Sequence, residues 1–252
     1  MIKIKEIKIL ENNIVWILYK KNKCIIIDPG LSNPIINKLN QYKLTPIVVF
    51  ITHLHNDHIQ GLYKIIQYYP KILIITPKKI KNISKKNQII ICNVQKINIL
   101  NNIFFIFPTP GHSENDISYF CYPYLFCGDI LFSGGCGNTL NGGNSIKLYY
   151  SLQKIMQLPK NTIFFNSHQY TLSNLNFSHK FFKKDIFIQE YLMFMNKNYK
   201  KQKNYNSLIF EKKMNIFFRI KEKNLQEIIN YWYKSDKEIE YFCNLRKIKD
   251  EF

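Results

Sequence analysis

The sequence predicts an α/β protein in which mixed sheets are flanked by helices and followed by a helical C-terminal part. Three observations predict it. Short apolar strands separated by turns fill the start of the chain, strands then alternate with stretches of helical periodicity from about residue 33, and beyond about His168 the pattern is helical alone. The 252 residues, 46% hydrophobic and 15% aromatic, are ample for a buried core and exclude disorder, collagen and short disulfide scaffolds.

Taken in order, strands are expected at Ile2 to Leu10, Ile14 to Tyr19 and Cys24 to Ile27, the last ending in the turn Asp28-Pro29-Gly30. A helix from about Asn33 to Gln41 leads to the buried strand Ile47 to Ile51. Another, from about Ile59 to Tyr68, leads to strands near Ile72 to Ile75, Gln88 to Cys92 and Ile103 to Phe107. Strands at Ile117 to Cys121 and Leu125 to Cys127 precede a glycine-rich loop from Gly128 to Gly143, a helix from Ser145 to Gln157 and a strand from Thr162 to Phe165. Lys180 to Lys197, Asn224 to Tyr233 and Asp236 to Arg246 read as helices, so a domain boundary is placed at residue 168, giving domains 1–168 and 169–252.

The formal net charge of +19 would ordinarily point to nucleic acid or an anionic surface. Composition offers a plainer cause: there is no alanine, valine occurs only at 15, 48, 49 and 94, and arginine only at 219 and 246, against an excess of Ile, Lys, Asn, Phe and Tyr. Those residues have AT-rich codons, and the lysines are spread rather than clustered, so no specific nucleic-acid partner is expected. The six cysteines contain no CxxC pair and read as reduced. No apolar run approaches the ~18 residues of a membrane span, and the first residues lack the layout of a signal peptide. A cytoplasmic, soluble monomer without membrane association is the expectation.

The chemistry lies in the histidines. Three of six fall in Thr52-His53-Leu54-His55-Asn56-Asp57-His58, directly after the buried strand ending at Ile51. On extended backbone His53 and His55 point the same way and can grip one cation, while Asp57 and His58 come round the turn and can grip a second. His112, Asp129 and His168 each follow a strand end, and with them the chain offers five histidines and two aspartates. That is enough for two divalent metal ions with a shared carboxylate and an open position for water, the N and O donors suiting zinc, iron or manganese. His179, with no ligand spacing, reads as packing or surface. Asp28 suits either a partner of a metal ligand or a plain Asp-Pro-Gly turn.

With its complete THxHxDH signature the chain resembles the metallo-β-lactamase superfamily, and within it glyoxalase II, the hydroxyacylglutathione hydrolases. Gly128-Asp129-Ile130-Leu131-Phe132-Ser133-Gly134-Gly135-Cys136-Gly137 is similar to that family's GDTLFxxGCG, and His168-Gln169-Tyr170-Thr171 to its HEYT. Asn215-Ile216-Phe217-Phe218-Arg219 resembles NPFxR, and Arg246 to Phe252 resembles RxxKDxF.

The resemblance implies a four-layer αβ/βα metallo-β-lactamase sandwich plus a C-terminal helical domain that helps bind glutathione. It implies one metal on His53, His55 and His112, another on Asp57, His58 and His168, and Asp129 bridging, with zinc first and iron or manganese as alternatives. Asp57 and Asp129 carry the catalytic role. Glutathione contacts fall on Tyr170, Arg219 and Lys223, and on Asn138, where family members usually place a basic residue. The implied reaction is hydrolysis of the thioester S-D-lactoylglutathione by a metal-bridging hydroxide, giving glutathione and D-lactate, the second step of methylglyoxal detoxification. Competing readings are an iron persulfide dioxygenase or a nuclease of the same fold, and a basic nucleic-acid binding module with a decayed metal site.

Overall fold

Runs of Ile, Val and aromatic residues set the strands of the computed structural model, which describes residues 2–198 and 203–252. The chain forms two compact units, the first comprising residues 1–108 and 115–128, the second 109–114 and 129–252. In the first, β1 (Lys3–Ile9), β2 (Asn13–Lys20) and β3 (Lys23–Ile27) form an antiparallel meander. Helix α1 (Ser32–Gln41) then carries the chain to β4 (Thr45–Phe50), parallel to β3. Burial of Ser32, Ile35, Ile36 and Leu39 follows the three-and-four spacing of one helix face. Beyond α2 (Asn56–Ile59) and α3 (Leu62–Tyr68), parallel strands β5 (Leu73–Thr76) and β6 (Gln88–Ile90) complete a mixed sheet in the order β1-β2-β3-β4-β5-β6.

The same unit holds an antiparallel run of β7 (Gln95–Ile99), β8 (Asn102–Pro108), β9 (Ile117–Cys121) and β10 (Tyr124–Phe126). Three aromatic rings join it to the first sheet. Phe50 at the end of β4 stacks on Tyr119 with centroids 4.2 Å apart and meets Phe104 edge-on at 5.1 Å. The buried Tyr119 hydroxyl lies 2.7 and 2.9 Å from the carbonyl oxygens of Ile51 and Ile75 and accepts from the Ile51 N–H at 3.1 Å.

In the second unit the loop after Asp129 contains a short hairpin, β11 (Leu131–Phe132) with β12 (Gly135–Cys136). Helix α4 (Ser145–Met156) and strand β13 (Ile163–Phe165) follow, then α5 (Thr171–Phe181) and α6 (Ile186–Asn198). Strand β14 (Tyr205–Ser207), antiparallel to β13, precedes α7 (Leu208–Met214), α8 (Lys223–Trp232) and α9 (Glu238–Asp250). Leu175, Met195 and Met214 form a core between α5, α6 and α7. Glu211 on α7 is fully buried, which pushes its carboxyl up to about 8, although it accepts bonds from the Gly134 N–H and the Asn215 and Asn206 side chains.

The class is the α/β class that the sequence predicts, with a helical C-terminal region. Several elements differ. The helix expected from Ile59 breaks at Gln60 and Gly61, because the Gly61 N–H turns to the Pro29 carbonyl at 2.9 Å. The helix expected over 180–197 begins only at Ile186, and α5 precedes it. Strands β7 and β14 and helix α7 were not expected. Tyr119→Phe should lower stability by about 1–3 kcal/mol, since buried carbonyls lose their partner while the ring stack remains. The urea midpoint of the purified protein checks this.

Candidate metal centre

Parallel pairing of β3 with β4 opens their carboxyl ends on one edge, with Ile27 opposite Phe50. Asp28 leaves β3 with φ +51°, a left-handed conformation that Asp tolerates, and its N–H donates to the Phe50 carbonyl at 3.0 Å. Its buried carboxylate thereby faces the chain leaving β4. Oδ1 accepts the Thr52 N–H at 2.8 Å, and Oδ2 accepts the Thr52 hydroxyl at 2.7 Å and lies 3.1 Å from His58 Nδ1.

These bonds fix the His53 tautomer. Having given its proton to Asp28, Thr52 Oγ1 can only accept from His53 Nδ1, 3.0 Å away, which makes Nε2 the acceptor nitrogen of His53. His58 lies beside the same carboxylate, its Nδ1 3.1 Å from Asp28 Oδ2 and its Nε2 3.5 Å from Asp57 Oδ2. His53 Nε2 is 3.1 Å from His55 Nδ1, and donor atoms of His53 and His58, and of Asp57 and His58, lie within 4.8 Å of each other. Asn13 on β2 donates to Asp57 Oδ2 at 2.8 Å. The turn is pressed onto this segment, since a Cβ at Gly30 would stand 1.7 Å from the Asp57 carbonyl oxygen. Asp28 is therefore more than a turn residue; through Thr52 its carboxylate sets the His53 imidazole, and it lies beside His58.

The second unit carries donors of its own. His112, just past β8, donates from Nδ1 to the Asn138 carbonyl at 2.9 Å, so its Nε2 carries the lone pair. That Nε2 is 3.6 Å from Asp129 Oδ2, and His168 Nε2 is 3.3 Å from the same oxygen. The other oxygen, Oδ1, accepts the Ser167 hydroxyl at 2.7 Å. Gly137 is needed here because a Cβ would meet the Asp129 carbonyl at 2.0 Å. His112, Asp129 and His168 are all buried.

Each unit thus offers an imidazole whose tautomer is fixed through its other nitrogen, with a carboxylate nearby. That donor set fits a divalent metal ion of the zinc, iron or manganese type, so the His/Asp clusters are able to bind metal.

A cavity of about 380 Å³ in the second unit is lined by His112 and Asp129 together with Asn138, Leu140, Tyr170 and Lys249. Tyr170 stacks on the His168 ring at 4.9 Å. Asn138 enters mainly through its backbone, its side-chain oxygen accepting from the Leu140 N–H. Arg219 is held by Asp185 at 2.6 Å and by Glu222 at 2.6 and 3.0 Å, over the Phe182 ring, and Lys223 is exposed at the start of α8. Neither lines this cavity.

Sequence reasoning attached no role to Arg246 or Lys249, although their spacing of three puts both on one face of α9. Arg246 is buried and donates to the Cys136 carbonyl at 3.0 Å while pairing with Asp250 at 2.8 Å. Lys249 is half-buried, and desolvation, with Arg246 nearby, brings its ammonium down to about 8. Burial pushes the Cys136 thiol up, which argues against a cysteine nucleophile.

Residues 10–90 match the family described as the metallo-beta-lactamase superfamily, and residues 169–252 match the hydroxyacylglutathione hydrolase C-terminus. The chain is 42% identical over 249 residues to a hydroxyacylglutathione hydrolase from Buchnera aphidicola subsp. Baizongia pistaciae, covering 97% of each chain. It is 35% identical over 252 residues to one from Citrobacter koseri, covering 99% of each. Among solved structures it is similar to BLEG-1 B3 metallo-beta-lactamase (TM-score 0.65, 22% identity, 86% of this chain and 99% of that one). ETHE1 from Myxococcus xanthus is similar at TM-score 0.66 and 19% identity, covering 98% and 99%. At these identities the structures establish the shared fold.

Asp28→Asn places an NH₂ group or a weaker acceptor against His58 Nδ1 and Thr52. It should weaken metal binding by about 10- to 100-fold in competition with a chelator. Affinity equal to that of the unaltered protein would return Asp28 to a turn residue.

Proposed function

We propose that this chain, which belongs to the hydroxyacylglutathione hydrolase family of the metallo-β-lactamase superfamily, hydrolyses S-(2-hydroxyacyl)glutathione thioesters to glutathione and a 2-hydroxy acid. S-D-lactoylglutathione, giving D-lactate, is the first substrate to test. One observation carries the reading: the same chain that presents His/Asp donors with fixed tautomers also matches, over residues 169–252, the C-terminus of the hydrolase family.

His53, His55 and His112 would hold one divalent ion, and Asp57, His58 and His168 a second, with Asp129 between them; zinc is the first choice, and iron and manganese suit the same donors. Bound there, such ions lower the pKa of water from about 15.7 toward 7 and offset charge developing on the thioester carbonyl. The chain's own residues do the rest. Asp28, through Thr52, and the Asn138 carbonyl keep the lone pairs of His53 and His112 on their Nε2 atoms. Asp57 and Asp129 contribute the negative charge that a pair of dications requires, Asp129 presenting Oδ2 to two imidazoles.

For the tripeptide, the half-buried Lys249 ammonium suits a glutathione carboxylate, and Tyr170 and Asn138 border the same cavity. Arg219 and Lys223 are included on the resemblance alone. The division into a metal-binding part, 1–168, and a glutathione-binding part, 169–252, belongs to the same proposal. So do a role in the second step of methylglyoxal detoxification, a cytoplasmic location and a monomeric state, one chain supplying all seven donors. Among the described residues no helix is long and apolar enough to cross a membrane. The relatives' shared name and the C-terminal match favour hydrolysis over the persulfide dioxygenase, nuclease and nucleic-acid readings.

Purified protein should hydrolyse S-D-lactoylglutathione, lose that activity on chelation and regain it with zinc. Asp129→Ala should abolish turnover, while Cys127→Ala should keep most of it; equal losses in the two variants would instead indicate a thiol nucleophile. The Lys249 ammonium is charged below about pH 8 and neutral above, so KM should climb as pH passes about 8. Because a remote carboxylate is held equally in ground and transition states, kcat should show no matching fall. Lys249→Met should raise KM about tenfold at pH 7 and flatten that climb.

A further inference from the structure

A carboxylate has two equivalent oxygens and can swing between using one and using both, and Asp129 is not left free to do so. Its Oδ1 accepts the Ser167 hydroxyl at 2.7 Å, whereas Oδ2 stands 3.3 Å from His168 Nε2 and 3.6 Å from His112 Nε2. Both partners are buried, Asp129 at 8% and Ser167 at 5% exposure, so little water competes for Oδ1. Ser167 is itself well placed. Its neighbour Asn166 accepts the Ser133 N–H at 3.0 Å, donates to the Ser133 hydroxyl at 3.2 Å and gives its own N–H to the Asn204 carbonyl. The strand end that aims His168 thus also aims the hydroxyl at Asp129.

We propose that Ser167 is a positioning residue whose hydroxyl reserves Oδ1 of Asp129 and so presents Oδ2 alone, between His112 and His168, as the bridging ligand atom. The inference rests on the reading of Asp129 as a metal ligand. A hydroxyl bond to a carboxylate is charge-assisted and short, which matches 2.7 Å. Without it Oδ1 is a buried acceptor that gains by turning toward the cations, and the carboxylate loses its one-oxygen geometry. The glutathione contacts do not involve Ser167, so substrate affinity should be spared.

The test challenges zinc-loaded protein with a chromophoric chelator and, separately, measures kcat and KM for S-D-lactoylglutathione. Ser167→Ala should release zinc about 10- to 100-fold more readily, with a lower kcat and nearly unchanged KM. Ser167→Cys, nearly isosteric but a weak donor, should follow alanine and covers the event that alanine folds poorly. Ser167→Thr, which keeps the hydroxyl, should restore zinc retention. Cysteine and alanine variants that hold zinc as the unaltered protein does would overturn the role of Ser167 and leave the metal centre standing. An unaltered protein that holds no zinc, iron or manganese would overturn the metal centre, and this inference with it.

Discussion

The donors of the first unit hang on one buried carboxylate. Asp28 accepts from Thr52 twice and lies beside His58, so a single carboxylate at the end of β3 sets the tautomer of His53 and borders a second ring on the segment leaving β4. This works only because β3 and β4 run parallel and end together. It also requires Gly30, where no side chain could share the space taken by the Asp57 carbonyl. Burying an ion is costly unless its lone pairs are used, and here both oxygens are. The aromatic stack of Phe50 on Tyr119 holds the end of β4 where that pairing needs it.

The second unit solves the same problem by other means. A backbone carbonyl, that of Asn138, fixes the His112 tautomer, and a glycine at 137 lets the loop lie against Asp129. The loop is gripped by Glu211 on α7, which accepts from the Gly134 N–H, and by Asn215 just past that helix, which donates to the Phe132 and Gly135 carbonyls. Irregular backbone at a functional loop leaves many polar groups to satisfy, and this chain does so with buried side chains from a helix distant in sequence.

Much of this was legible beforehand, for definable reasons. A period-two pair of histidines after an apolar strand has few other meanings, and the strands that carry the donors are apolar runs. What escaped was set by tertiary structure. Strand β7, Gln95-Lys96-Ile97-Asn98-Ile99, is mostly exposed and too polar to read as a strand without its partner β8. Helices α5 and α7 have short apolar stripes that gain meaning only when Leu175, Met195 and Met214 meet. Arg219 was assigned to glutathione by its motif; nothing in a linear sequence reveals that Asp185 and Glu222 occupy its guanidinium. Lys249 stands in the RxxKDxF-like ending, but a motif match assigns it no role until a cavity shows what it faces.

The Arg246 clamp has a consequence for how the protein is made. The loop carbonyl of Cys136 and the guanidinium that binds it are 110 positions apart. A ribosome adding about 5–20 residues per second therefore needs roughly 5–20 s after Cys136 before Arg246 exists. For the later part of that interval, once His168 has been added, the nascent chain contains all seven donors while the loop beside Asp129 lacks one of its anchors. Metal encountered during translation would meet an unfinished pocket, so orderly loading favours an ion that arrives after α9 has docked.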